Sequence, residues 1–389
     1  VTQLSRLAIL GIAKETVAGT YVAPTTYIPF TKADFEDVYT ELKDESYRAN
    51  DTMLQGMYQG PVHATWDINV MAYPDLIGHF LRGIIGPDTV TAGVTTTLAA
   101  SSIAGATTLS STASIAMNSY IRIGTGATTE YAFVSAVSGT GPYSLTVTTV
   151  VGQTVGLTLP HSSADALVSA SSHKFAQSAT PSTKATYSLT VYDTTGTLGY
   201  SGAAMSDLAL KIDPKAVVTL DVKYMTFPGV TQSAMTPTYT ALPPMLGWEW
   251  NMTNAGGSST RGLTLDYAIK RAVEPVHSSD GIQAPREIFQ GALDADGTYK
   301  TIFENQTDLN LYLNYTQTPT TALLQEPASG TNGMGASLAV TMSKSGYFKG
   351  KRDLSSSYVQ ADFSLSGIYN ATDGGALTAT LVNFQTAAY

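Results

Sequence analysis

The sequence predicts a mainly β protein. Short alternations of apolar and polar residues recur through most of the 389 residues, Gly, Pro, Asn and Asp interrupt them at turn spacing, and one segment carries clean helical periodicity. With 34 Gly and 17 Pro, turns are well supplied. A chain of this length exceeds the usual single-domain size, so two or three domains, or one large β architecture with an insertion, are expected.

Taken in chain order, a strand is expected near Tyr27 and another over Pro61 to Met71. There Val62, Ala64, Trp66, Ile68 and Val70 alternate with His63, Thr65, Asp67 and Asn69, which puts the second set, Asp67 included, outside the core. Between these strands lies an acidic segment, Asp34 to Gly60, read as a loop of more than 20 residues. A linker that long in a compact domain has a role or is disordered. From its composition it is a solvated acidic loop or an intersubunit contact. Pro74 to Ile85 reads as a helix, with Pro at its start, Leu76, Phe80 and Ile84 four apart, and Gly86-Pro87 as the stop.

From Asp88 to Ser172 the composition changes to Thr, Ser, Ala and Gly, and the charged side chains are Asp88, Arg122, Glu130 and Asp165. Strands are expected at Tyr120 to Ile123, Glu130 to Val137 and Tyr143 to Val150, so this block reads as a small inserted all-β domain. Strands resume at Tyr187 to Tyr192. The expected organisation is a first part over 1–87, an insertion over 88–172 and a second part over 173–389. Gly262 to Arg271 alternates like Pro61 to Met71, so two sheets with one polar face each are expected. A short helix is expected near Thr307 to Leu313. Asp280-Gly281, Asp296-Gly297 and Asp373-Gly374 read as turns, with a hairpin over Leu293 to Glu304.

The same residues narrow the chemistry. Zero Cys removes disulfides, thiolate nucleophiles and cysteine-based metal centres. His63, His79, His161, His173 and His277 share no metal-binding spacing. Gly124-Thr125-Gly126 leads into a strand rather than a helix, Gly199-Tyr200-Ser201-Gly202 falls short of a nucleophile elbow, and Asp294-Ala295-Asp296-Gly297 lacks the last ligand of a calcium loop. Glu249 and Asp266 could form an acid–base pair, but no spacing demands it. No enzymatic activity, cofactor or metal is expected. Thirty acidic against 21 basic residues disfavour gripping nucleic acid. No stretch has membrane-span hydropathy, and Val1 to Arg6 lacks a signal-peptide pattern.

Three segments resemble tail tube (major tail) proteins of long-tailed, non-contractile bacteriophages, especially those of actinobacteria. They are Gly11-Ile12-Ala13-Lys14-Glu15-Thr16-Val17-Ala18-Gly19-Thr20 with Tyr27-Ile28-Pro29-Phe30, the run Glu274 to Leu293, and Gly297-Thr298-Tyr299-Lys300-Thr301-Ile302-Phe303-Glu304-Asn305. The inserted block is similar to β modules that recur in phage virion proteins. The resemblance implies a β-sandwich flanked by a helix, in hexameric rings stacked into a hollow tube for genome ejection. Each subunit would give about four strands to a continuous inner barrel. Implied partners are further copies of the chain, the tape measure, terminator and distal tail proteins, and DNA that passes without specific binding. The protein would be made in the host cytoplasm and reside in the virion, with no membrane partner.

On that basis Asp34, Glu36, Asp37, Glu41, Asp44, Glu45, Arg48 and Asp51 are expected at the contact between rings. Thr65, Asp67, Asn69, Thr264 and Asp266 are expected to face an acidic lumen, although Lys270 shares the face of Asp266. The insertion would project outward. Competing readings are a bacterial surface or adhesin-like β protein, and a tail terminator that caps a tube with one ring.

Overall fold

Apolar–polar alternation becomes strand pairing over most of the chain. The computed structural model describes residues 4–150, 152–178, 180, 184–254, 257–326 and 335–389. In chain order, β1 (Ile9–Lys14), β2 (Thr26–Tyr27), β3 (Phe30–Asp44) and β4 (Gly56–Met71) precede helix α1 (Ile77–Ile84) and β5 (Asp88–Thr91). Six short strands follow: β6 (Thr95–Thr97), β7 (Thr108–Ser111), β8 (Tyr120–Ile123), β9 (Glu130–Ser138), β10 (Tyr143–Thr148) and β11 (Ala166–Ser169). Then come β12 (Ser171–Ala176), β13 (Tyr187–Tyr192), β14 (Thr197–Ile212), β15 (Thr219–Thr226), β16 (Val230–Thr231), β17 (Trp250–Asn254) and β18 (Gly257–Ser259). The chain continues with β19 (Gly262–Val276), β20 (Glu287–Ile302), helix α2 (Thr307–Leu313), β21 (Thr318–Gln325), β22 (Ser337–Asp353), β23 (Gln360–Gly367) and β24 (Thr378–Asn383).

One antiparallel sheet runs β3-β4-β15-β14-β19-β20-β23-β22 and sets the architecture. Its two long strands β14 and β22 are shared between layers. The first half of β14 pairs with β13, and the first half of β22 with β21 and β24; the second halves join the eight-stranded sheet. Trp66 on β4 meets Tyr200 on β14 edge-on at 4.9 Å and stacks with Phe35 at 4.7 Å, and Phe35 meets Tyr200 edge-on at 6.1 Å. Phe80, Leu81 and Ile84 of α1 join the same core. This is a β-sandwich with a flanking helix, as the sequence predicts.

The eight strands form two equivalent sets of four, one from β3, β4, β14 and β15, the other from β19, β20, β22 and β23. Strands β3 and β19 both span 15 residues, and β4 and β20 both span 16. Pairing is interrupted at Phe30/Lys32 and Tyr39/Glu41 in one hairpin, and at Gly262/Thr264 and Arg271/Val273 in the other. These are the same places 232 residues on (262 − 30 and 271 − 39). The break at Met205/Asp207 between β14 and β15 recurs at Tyr347/Lys349 between β22 and β23, and that at Tyr187/Leu189 recurs at Thr318/Thr320. Bulges are specific local features, so four coincident positions mark a structural repeat. The expected four barrel strands therefore describe one unit, and the chain contains two. They meet at β14 and β19, where Asp207 lies opposite Lys270 and Lys211 opposite Asp266.

Strands β6 to β11 form a separate sheet in the order β6-β11-β8-β9-β10-β7, and a bridge from Leu98 to Ser111 brings its edges together. Its own core includes Ile121, Ile123, Val134 and Leu145. It leaves the sandwich through β5 and β12, which pair with each other, and Tyr131 rests against Phe384 at 5.3 Å.

Two local expectations are overturned. Asp34 to Gly60 is not a loop: β3 and β4 pair from Phe30 out to Asp44 opposite Gly56, leaving only 45–55 to turn the chain. Charged residues on both exposed faces of the projecting ribbon erase the apolar alternation that would reveal a strand. Asp296-Gly297 is not a turn either, because β20 runs through it. Gly297 is needed for close packing: a Cβ there would stand 3.0 Å from the Tyr267 ring and 3.2 Å from Leu365. The expected helices are present, α1 starting at Ile77 after a turn over 74–76, and Asp280-Gly281 does turn the chain, with Gly281 at φ +80.

Candidate assembly surfaces

Residue alternation gives the eight-stranded sheet a second, polar face. On it, Asp67 lies opposite Lys223, Lys223 opposite Asp207, Asp207 opposite Lys270, and Lys270 opposite Asp294. Thr65, Asp67, Asn69, Thr264 and Asp266 all belong to this one face, by the same registers. Carboxylates of Asp34, Glu36, Asp67, Asp207, Asp221, Asp266, Asp294, Asp296, Asp353 and Asp362 outnumber the amines of Lys32, Lys211, Lys223, Lys270, Lys300, Lys349 and Lys351 there. Several are tied down: Lys32 bridges Asp34 at 2.6 Å and Asp67 at 3.7 Å, and Lys211 pairs with Asp221. Burial would raise the Asp221 carboxyl, but hydrogen bonds from Lys211 and Asn69 outweigh it and lower it. Asp266 is raised, by burial first, against the pull of Lys211. The face is mixed in sign with an acidic excess.

The β3–β4 hairpin extends beyond the sheet. Of the expected contact residues, Asp34, Glu36 and Asp37 sit within the sheet on its edge strand, opposite Asp67, Thr65 and Ala64. Glu41 and Asp44 lie on the projecting arm, and Glu45, Arg48 and Asp51 in the turn at its tip, where Arg48 pairs with Asp44. The sequence reading passed over the apolar residues among and just beyond them: Tyr47 is fully exposed, Met53 is 78% exposed, and Met57 and Tyr58 are more than half exposed. The available signal was the apolar pairs Met53-Leu54 and Met57-Tyr58 in an otherwise polar segment. The β19–β20 turn lies alongside, with Gln283 donating to the Gln59 carbonyl at 3.2 Å and its own carbonyl accepting from Val62 N–H at 2.9 Å.

Among the described residues both ends of the sheet are open, since β3 pairs only with β4 and the second half of β22 only with β23. Open edges solicit further strands. The acidic β3 edge faces one way. The other edge carries Lys349, Lys351 and Arg352, a basic cluster visible in the sequence as Lys349-Gly350-Lys351-Arg352 but not recognised as a contact.

The segment that carries the resemblance also has a packing role. Glu15, 8% exposed, accepts hydrogen bonds from the backbone N–H of Gly19 and Gly202 (2.7 Å each) and from the hydroxyls of Thr186 and Ser188 (2.8 Å each). Gly19, in a turn, and Gly202, within β14, have φ of +79 and +66, so glycine is needed at both positions. A second polar cluster lies below α1, where Asp88 takes Arg82 at 2.7 Å and His173 at 2.9 Å. Burial works to raise Asp88, and the bonds from His173, Tyr389 N–H and Arg82 bring it below the usual carboxylate range.

A large β-sandwich with a projecting hairpin, a polar sheet face and two open edges is built as a structural subunit. Residues 5–381 match the family described as Phage tail tube protein, and the chain belongs to that family. The search of curated proteins finds no match. Among the described residues no helix is long and apolar enough to cross a membrane.

Proposed function

We propose that the chain forms stacked rings whose eight-stranded sheets join into a continuous barrel, a conduit through which the genome leaves the virion. The observation that carries this reading is the sheet itself, with an acid-rich polar face and an unpaired strand at each end. Thr65, Asp67, Asn69, Thr264 and Asp266 line the lumen. Excess carboxylates repel phosphate, and Lys32, Lys211 and Lys300 are held by carboxylates of their own wall, so DNA slides without a specific site. Glu41, Asp44, Glu45, Arg48 and Asp51, with Tyr47 and Met53 among them, reach the next ring; the exposed apolar residues supply burial and the charges supply register. The domain of strands β6 to β11 projects outward. The subunit has no catalytic role, is made in the host cytoplasm, and meets tape measure, terminator and distal tail proteins in the virion. Expected rings contain six tube units.

Negative-stain electron microscopy of the purified protein tests this, alongside the variant Glu41→Gln, Asp44→Asn, Glu45→Gln. Hollow tubes for the parent, and rings that no longer stack for the variant, are expected. A protein that is missing from the tails of purified virions would overturn the reading.

A further inference from the structure

We propose that β22 of one chain pairs with β3 of a second copy in the register that already joins β14 to β19 within the chain, and that three chains close each ring. The proposal rests on the ring reading above and adds its interface. The two units of one chain are related by a junction of known register, with Asp207 opposite Lys270 and Ile212 opposite Leu265. The matching bulges fix the equivalences: Lys349 takes the place of Asp207, and Val38 that of Lys270. Carried to the open edges, the same register sets Lys351 opposite Glu36 and Arg352 opposite Phe35.

Three features of the edges fit this occupant. Opposite charges meet where Lys351 faces Glu36, and Lys349 stands diagonal to that carboxylate; cross-strand ion pairs of this kind favour pairing. Asp353 would face Asp34, but each is held by a lysine of its own chain, Lys300 on β20 at 3.8 Å and Lys32 on β3 at 2.6 Å. Second, the internal junction is secured by Arg271 on β19, whose guanidinium donates to the carbonyls of Ile84 and Ile85 at the end of α1. The equivalent positions at the open edges are Tyr39 on β3 and the end of α2. Tyr39 is 44% exposed and Tyr315, just beyond α2, is 80% exposed, so the contact there becomes apolar. Third, Phe348 and Leu354 on the β22 edge are 56% and 76% exposed, which an added strand would cover.

Ring size follows from strand number. At about 4.8 Å between strands and about 40° of tilt, two chains with 16 strands make a backbone cylinder about 32 Å across, and three with 24 strands one about 48 Å across. Side chains take about 5 Å from each wall. A duplex about 20 Å wide would fill the first bore, about 22 Å, with no room for its hydration shell and would clear the second, about 38 Å.

The chain has no Cys, so paired cysteines read the register directly. Tubes or virions carrying Glu36→Cys and Lys351→Cys are oxidised and run on a non-reducing denaturing gel. Covalent species that end at three chains are expected, and the pair Glu36→Cys with Arg352→Cys, which a one-residue slip would align, should stay unlinked. Tubes without the first link, a link in the second pair, or a ladder that continues to six chains would overturn the interface while leaving the tube reading intact. Absence of any ring or tube from the parent protein would tell against the tube reading instead. Independently, Glu36→Lys should cut assembled protein at least about tenfold, and adding Lys351→Glu should restore it.

Discussion

Replacing Glu15 with Ala should be among the most costly polar substitutions in the sandwich. Its carboxylate accepts four hydrogen bonds, two from hydroxyls that can turn to other acceptors and two from the backbone N–H groups of Gly19 and Gly202, which cannot. A buried donor left without an acceptor costs about 1–3 kcal/mol, so two give about 2–6 kcal/mol. Some relaxation around a residue that is 8% exposed places the expected loss near 3–4 kcal/mol. Glu15→Gln retains one carbonyl oxygen for two of the donors while its amide hydrogens oppose the others, and about half that loss is expected. Urea denaturation of the subunit measures both, with an unchanged m-value confirming that the same surface unfolds. A loss below about 1 kcal/mol for Glu15→Ala would refute the idea that this carboxylate ties β1 to β13 and β14.

Gly78→Ala should destabilise by about 1–3 kcal/mol, because a Cβ there would stand 2.2 Å from the Tyr389 ring; the shift in urea midpoint reads it. His79 is lowered from 6.5 to about 4 by burial first and then by Lys14 and Arg82. The folded state therefore binds fewer protons than the unfolded chain between these values, and stability should fall as pH drops from about 6.5 to 4, by about 2–3 kcal/mol. His79→Phe should flatten that part of the pH profile, and an identical profile in the parent would rule His79 out as its source. Replacing 93–170 by a two-residue Asn-Gly turn between β5 and β12 should leave a folded subunit that still assembles, lost assembly being the contrary result.

The sandwich was legible where burial is one-sided. Trp66, Ile68 and Val70 alternate with polar neighbours because one face meets the core, and their strand was read correctly from sequence. The ribbon over Asp34 to Gly60 was not, since neither of its faces is buried far from the sheet and hydrogen bonding alone makes it a strand. Gly297 misled for a different reason: glycine serves close packing as well as turns, and only the Tyr267 ring tells the two apart. The repeat escaped because its equivalent strands preserve lengths and bulge positions rather than residues. Its trace in the sequence is Tyr58-Gln59-Gly60 against Phe289-Gln290-Gly291, one short match across 231 positions (289 − 58). Face assignment for Thr65, Asp67, Asn69, Thr264 and Asp266 needed only period-two counting, whereas the edge cluster Lys349, Lys351 and Arg352 acquires meaning only when β22 is seen to be unpaired on that side.

A helical reconstruction of the tube by electron cryomicroscopy measures the central claim most directly. An inner wall of 24 strands, built from three chains, with Lys351 opposite Glu36 at each boundary and Asp67 and Asp266 facing the bore, is the result expected. A wall in which the eight-stranded sheet lies outside, or in which β3 and β22 remain unpaired, would contradict it.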